Sequence, residues 1–322
     1  MWPGDTNNDG IVKQSDVLPI GLYWHYTGPP RPNATRKWVG QPAEPWNPEK
    51  ATYADADGNG EVNQADVLPI GLNWKKTHDG GAPGPAPAPS MGVAKQIALM
   101  LPNSIQRQGE FYVDVVAHGQ GNMLGVSFIL DYDPSVLKPL LVEKGDLLGE
   151  NALFLSIVEN GSIAVGITRK AEQGAVNDNG VVVRIKFKAI GGKSVSKLTL
   201  KEVILSDGEK MLRLSDRSGT LKLIPAETAL LPNYPNPFNP DTWIPFKLAK
   251  SADVIIRIYD LHGRLIRELN LGYLEAGYYI DRGAAAYWDG RNELGEKVSS
   301  GVYIYQMIAG EKSFLRKMVI LK

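Results

Sequence analysis

Cysteine is absent from all 322 residues. That excludes a disulfide framework, thiolate catalysis, Cys-ligated zinc and iron–sulfur clusters. Histidine is scarce: only His25, His78, His118 and His262 occur, none in the spacing of a metalloprotease, a zinc site or a hydrolytic triad. The glycine fingerprints of nucleotide binding are missing as well. With no activated nucleophile and no recognisable acid–base pair, the expectation is that the chain is not an enzyme. No stretch approaches the roughly 18 uninterrupted apolar residues of a membrane helix. Excess charge of one sign is also lacking, since 35 basic residues offset 35 acidic ones, and this removes the electrostatic footprint of a nucleic-acid binder. The opening Met1-Trp2-Pro3-Gly4-Asp5 carries neither the basic segment nor the apolar run of a secretory leader. A leader already removed, or a chain that is part of something longer, would each account for it.

What remains is an ordinary globular composition, 43% apolar and 22% charged, with length for two or three domains. An internal repeat organises the first part. The heptapeptide DVLPIGL spans residues 16–22 and recurs unchanged over 66–72, each copy followed one residue later by a tryptophan, Trp24 or Trp74. The proline- and tryptophan-rich connection between the copies predicts an irregular segment. A DGGAPGPAPAPS stretch over 79–90 then reads as a semi-rigid, extended spacer and a domain boundary.

Each DVLPIGL copy is preceded by a loop rich in oxygen side chains. The first offers Asp5, Asn7, Asp9 and Asp16 at positions 1, 3, 5 and 12, and the second Asp55, Asp57, Asn59 and Asp66, with Gly10 or Gly60 at position 6. This is the spacing of an EF-hand-type calcium loop that ends on Asp. Calcium takes six to eight hard oxygens at about 2.3–2.6 Å, and a tight loop can wrap alternate side chains around one ion. The carbonyls of Ile11 and Glu61 supply position 7. Position 9 is Lys13 or Asn63, and a lysine cannot ligate a cation, so water fills that vertex in the first loop. Two loops in one register predict two Ca2+ ions. Leu18, Leu22, Leu68 and Leu72 are expected to pack the two following helices together.

On these residues, 1–78 resembles a dockerin, the paired calcium-loop module of cellulosome-type assemblies, with a long insertion between its repeats. The resemblance implies folding that depends on calcium and a recognition face for a cohesin. In one repeat that face would be Gln14, Ser15, Val17 and Leu18, and in the other Gln64, Ala65, Val67 and Leu68.

After the spacer, 79–93, the pattern changes to short period-two runs bounded by glycine, asparagine and aspartate. Examples are Phe111 to Val116, Gly125 to Leu130, Ile163 to Ile167 and Val181 to Phe187. Strands at such spacing suggest a β-sandwich. Gln108-Gly109-Glu110, the run from Phe128 to Leu137 containing YDPSVL, Glu143 to Leu147 and Arg184 to Lys188 make 94–225 similar to a cohesin, the dockerin receptor. Residues 226–322 form a second all-β segment, with runs at Val254 to Tyr259 and Val302 to Met307. Asn233 to Pro240, Ile258 to Arg264, Trp288 to Asn292 and Ser300 to Tyr305 resemble the immunoglobulin-like C-terminal domain of flagellar hook-assembly and type IX-like sorting proteins. That resemblance implies export and surface attachment.

The fold class expected is therefore mainly β: two β-sandwich domains preceded by a small α-helical paired calcium-loop module. The function expected is that of an extracellular or cell-surface, calcium-dependent structural and assembly protein. Its protein partner would be another copy of itself or a cohesin- or dockerin-bearing protein, giving a homo-polymer with neither nucleic acid nor a membrane span involved. A proline-rich spacer bends back poorly, which favours docking between copies over docking within one chain. Strand addition by Phe314 to Leu321 is a second route to assembly. The alternative is the non-catalytic docking and sorting region of a larger exported enzyme.

Overall fold

A computed structural model describes residues 1–79, 95–191, 194–209 and 211–321. Most of the spacer expected to adopt extended polyproline conformation lies outside the described residues. The chain divides into two compact units. One comprises Met1–Pro102, Glu110–Lys188 and Ser196–Leu221, the other Asn103–Gly109, Ala189–Val195 and Lys222–Lys322.

The calcium-loop module carries three short helices: α1 (Val17–Leu22), α2 (Glu49–Ala54) and α3 (Val67–Leu72). A 3-10 turn, Gln14–Asp16 or Gln64–Asp66, leads into α1 or α3. Pro19 and Pro69 therefore stand in the first turn of their helices, where no intrahelical N–H is required of them. The insertion between the repeats is irregular apart from α2. Val12, Ile20, Val62 and Ile70 are fully buried between the repeats, with Trp24 and Trp46 closing the core.

The sandwich that follows has two sheets. Its strands are β1 (Lys95–Met100), β2 (Ser104–Gln106), β3 (Glu110–Gly119), β4 (Gly125–Asp131), β5 (Leu137–Lys144), β6 (Leu153–Glu159), β7 (Ser162–Thr168), β8 (Gly180–Ala189), β9 (Val195–Ser206), β10 (Met211–Arg213) and β11 (Arg217–Ile224). One sheet runs β1-β3-β8-β5. The other runs β2-β11-β9-β4-β7-β6, with β10 on β9. In β3 the alternation is clean: Phe111, Val113, Val115 and Ala117 are buried while the residues between them are more exposed, as expected of a strand with one face on a core.

β4 and β7 break that alternation. Val126, Phe128 and Leu130, like Ile163, Val165 and Ile167, occupy one face, yet Ser127, Ala164, Gly166 and Thr168 on the opposite face are buried too. A strand buried on both sides has something covering its outer face.

The C-terminal strands are β12 (Ala229–Leu230), β13 (Thr242–Ile244), β14 (Phe246–Leu248), β15 (Ala252–Tyr259), β16 (Leu265–Leu274), β17 (Gly277–Tyr279), β18 (Ala286–Trp288), β19 (Gly301–Ala309) and β20 (Lys312–Ile320). They form sheets β12-β14-β17, β13-β18 and β16-β15-β19-β20 around Phe246, Trp288 and Tyr305. The last of these ties the entry segment down, since its hydroxyl donates to the Leu231 carbonyl and accepts from the Asn233 N–H, each at 3.0 Å. The segment offered above as a donor strand is committed within its own chain. β20 pairs along its length with β19, while Phe238 bridges Ile320 on its other side and Asn236 Oδ1 accepts from Val319 N–H.

Candidate calcium loops and docking seat

Each loop is folded by hydrogen bonds to its own oxygen side chains. Asp5 accepts from the N–H groups of Asp9 and Gly10 at 3.1 and 3.0 Å. Asn7 accepts from Asp9, and Asp9 from Ile11. Asp16 reaches back to accept from Thr6, Asn7 and Lys13. The second loop repeats the scheme: Asp55 accepts from Gly58, Asn59 and Gly60, Asp57 from Asn59, Asn59 from Glu61, and Asp66 from Asp57 and Asn63. Gly10 and Gly60 both adopt φ of 91°, a left-handed conformation that favours glycine and turns the chain at position 6.

The second loop's donor set fits a hard divalent cation. Carboxylate oxygens of Asp55, Asp57 and Asp66 lie within 4.8 Å of one another. Oxygens sharing one ion at about 2.3–2.6 Å can be at most about 5 Å apart. Burial pushes the position-12 carboxyls up, Asp66 to about 7 and Asp16 well above the usual range, and it raises Asp5 and Asp55 as well. Buried like charges of this kind are relieved by a bound cation. Asp5, Asn7, Asp9 and Asp16, with the Ile11 carbonyl, would hold one ion. Asp55, Asp57, Asn59 and Asp66, with the Glu61 carbonyl, would hold another. Lys13, the position that offers no ligand, instead places Nζ 2.9 Å from Asp9 Oδ2.

The insertion adds cations that the loop spacing does not announce. Arg36 pairs with Asp57 Oδ2 at 2.9 Å. Arg31 is buried beside the second loop and donates to the Ala56 carbonyl. Desolvation lowers its pKa against the attraction of Asp55, Asp66 and Asp57.

The cover on β4 and β7 is the first repeat. Gln14, Ser15, Val17 and Leu18 are all buried, and the turn Gln14–Asp16 and α1 lie along β4, β6 and β7. Across these strands, small residues pave the middle of the seat: Ser127 pairs with Gly166, and Gly125 with Thr168. Leu153, Leu155, Ile204 and Met211 from β6, β9 and β10 join the apolar cluster of Val12, Val17, Leu18 and Ile20.

Glycine permits the approach from both sides. A methyl built on Gly166 would lie 2.5 Å from Val17 Cγ1 and closer still to the Gln14 carbonyl, and one built on Gly21 would collide with the Thr168 side chain. At the rim, Lys170 Nζ sits 4.3 Å from the Trp24 ring centroid. Trp74 Nε1 and Lys75 Nζ both reach Glu159.

The corresponding residues of the second repeat are placed differently. Gln64 and Leu68 are exposed, and Ala65 and Val67 half-buried. Leu68 and Leu72 are 49% and 55% exposed, so they do not pack the helices together; Ile20 and Ile70 fill that role. Leu18 is buried, and it packs in the cluster that the sandwich shares. α1 is seated on the sandwich of its own chain, so the proline-rich spacer does not prevent docking within one chain. Residue spacing did not single out Gly21, Gly166, Thr168, Lys170, Glu159, Arg31 or Arg36 as parts of a site. No local signal separates Gly21 from Gly71, which sits in the same heptapeptide with open space around it.

Residues 3–70 match the model of the dockerin type I domain, and residues 107–222 match that of the cohesin domain. Among solved structures the chain is similar to a non-cellulosomal cohesin from Archaeoglobus fulgidus. Identity there is 23%, with 41% of this chain and 92% of that chain covered and a TM-score of 0.35. It is also similar to the cohesin module of a family 33 glycoside hydrolase from Clostridium perfringens (11% identity, 42% and 99% covered, TM-score 0.36). A cohesin from Acetivibrio cellulolyticus, solved in complex with a dockerin, matches at 14% identity with 40% and 98% covered and a TM-score of 0.34. No curated protein matches. The chain carries a type I dockerin domain followed by a cohesin domain, two non-catalytic docking modules that bind each other's kind.

Proposed function

We propose that this chain is a calcium-dependent docking protein of the cell exterior whose joint is the first dockerin repeat seated on the outer face of β4, β6 and β7. The observation that carries this reading is the burial of both faces of β7, with Gly166 fitted against Gln14 and Val17. Two loops holding two Ca2+ ions keep α1 and α3 in place, and the recognition residues are Gln14, Ser15, Val17 and Leu18. The likeness of 226–322 to exported immunoglobulin-like domains supports an extracellular or surface setting, and the whole chain is read as non-enzymatic.

Two modules joined by a spacer of about fifteen residues meet each other at an effective concentration set by that spacer. Below that the joint closes within one chain. At higher local density the same joint forms between chains and generates a head-to-tail assembly, because a donor and a receptor surface on one polypeptide make a heterologous contact. The reading as the docking tail of a larger exported enzyme uses the same joint with a different chain upstream.

The test is to mix two differently labelled populations with calcium and follow label exchange and particle mass across concentration. Gly166→Val should abolish both the closed monomer and the concentration-dependent assemblies while leaving the sandwich folded. An unchanged mass profile in that variant would sink the proposal.

A further inference from the structure

Each loop is closed by the tail that follows the other repeat's helix. After α1 the chain runs back along the second loop: His25 N–H donates to the Val62 carbonyl, Val62 N–H to Tyr26, and Gly28 N–H to Gly60, at 2.9, 2.9 and 3.1 Å. After α3 the same ladder forms on the first loop, with Lys75 N–H donating to Val12, Val12 N–H to Lys76, and His78 N–H to Gly10, at 2.9, 3.0 and 3.1 Å. Gly28 and His78 are thus equivalent positions, and their side chains differ. Gly28 has none, and the Trp46 ring occupies the space that one would need. His78 turns inward, where Nε2 donates to Asp5 Oδ2 at 2.8 Å, with the two side chains only 3% and 1% exposed. Trp2 stacks on the imidazole at 4.9 Å and 12°, and Trp38 flanks it at 5.9 Å.

We propose that His78 is a positioning residue for the first calcium site, so that the loop of repeat 1 is completed by the tail of repeat 2. The proposal rests on the calcium reading of that loop. An aspartate at position 1 must turn an oxygen towards the ion, and a donor held rigidly on its other side fixes the carboxylate plane, as outer-shell partners of metal ligands generally do. Backbone N–H groups alone do this for Asp55. In the first loop Lys13 contributes no oxygen, so the placement of Asp5 carries more of the site. Residue 78 lies 62 residues beyond the last ligand of that loop, Asp16.

The experiment is calcium titration of the full chain by calorimetry in two backgrounds, Asp55→Ala leaving the first loop and Asp5→Ala leaving the second. In the first background His78→Ala should weaken binding about ten- to hundred-fold. His78→Gln, which keeps an N–H donor, should restore much of it. In the second background His78→Ala should change nothing. Should a background variant fail to fold, stopped-flow release of calcium to a fluorescent chelator from the otherwise unaltered chain gives two phases, and His78→Ala should accelerate one alone. Equal acceleration of both phases, a loss that appears equally in the second-loop background, or normal first-loop affinity in His78→Ala would each overturn the proposal. Absence of any calcium binding by the first loop would remove the calcium reading as well, and so is a distinguishable failure.

Discussion

The same seven residues, DVLPIGL, occur twice in this chain, and the two copies end in opposite surroundings. In α1, Leu18 is fully buried and Gly21 lies against Thr168. In α3, Leu68 is 49% exposed and Gly71 has nothing within 4 Å of where a Cβ would stand. Both copies have the same backbone: a 3-10 turn, then a six-residue helix with proline in its first turn. Local sequence therefore sets the helix, and distant residues on β4, β6 and β7 set what the helix is for. Free energy follows burial, so identical substitutions in the two copies should have different consequences.

The largest effect expected is that of removing the cation, which acts on both copies together. Chelation leaves the buried carboxylates of Asp5 and Asp16 in the first loop, and of Asp55, Asp57 and Asp66 in the second, without the cation that offsets their burial, and the dockerin module should unfold while the sandwich and the C-terminal domain persist. Far-ultraviolet circular dichroism with and without calcium checks this. Asp5→Ala combined with Asp55→Ala should remove the calcium-dependent change altogether. If the signal is unaltered, the loops are turns and nothing more.

Next in size is a leucine truncation made in each copy. Leu18→Ala removes a side chain buried in the cluster that the module shares with the sandwich, and such truncations cost about 2–5 kcal/mol. Leu68→Ala at an exposed site should stay within about 0.5 kcal/mol. Urea unfolding of the calcium-loaded chain measures both. Equal losses would mean that the two helices are seated on the sandwich alternately.

Much of this was legible from residue order. Calcium-loop ligands fall within twelve consecutive positions, so their spacing is a local property, and the period-two runs at Phe111, Gly125, Ile163 and Val181 fall within β3, β4, β7 and β8. What could not be read is whatever joins distant segments. Two identical heptapeptides carry no information about which is covered. Seat residues such as Gly166 and Thr168 are about 150 positions from the helix they meet. Leu68 and Leu72 have the spacing of a helix-packing pair, but Ile20 and Ile70 already fill the space between the repeats. His78 stands outside any loop pattern and reaches Asp5 only because the tails cross over.

The finest test of the comparison uses the glycine within each heptapeptide. Alanine is favoured over glycine in a helix interior by about 0.5–1 kcal/mol, because it loses less backbone entropy on folding. At Gly71 the added methyl meets open space, so Gly71→Ala should stabilise the module by about that amount. At Gly21 the same methyl runs into the Thr168 side chain and the Arg169 carbonyl, and overpacking of this kind costs about 1–3 kcal/mol. That exceeds the propensity gain, so Gly21→Ala should be a net loss, and the loss should appear as release of the module from the sandwich. The lack of native cysteine makes release measurable: labelled cysteines placed at the exposed positions Leu72 and Leu141 report the separation of module and sandwich. Gly21→Ala should lengthen it and Gly71→Ala should leave it unchanged. Opposite signs for one substitution in two identical heptapeptides would be the signature of the seat, and equal stabilisation by both would show that α1 is as free as α3.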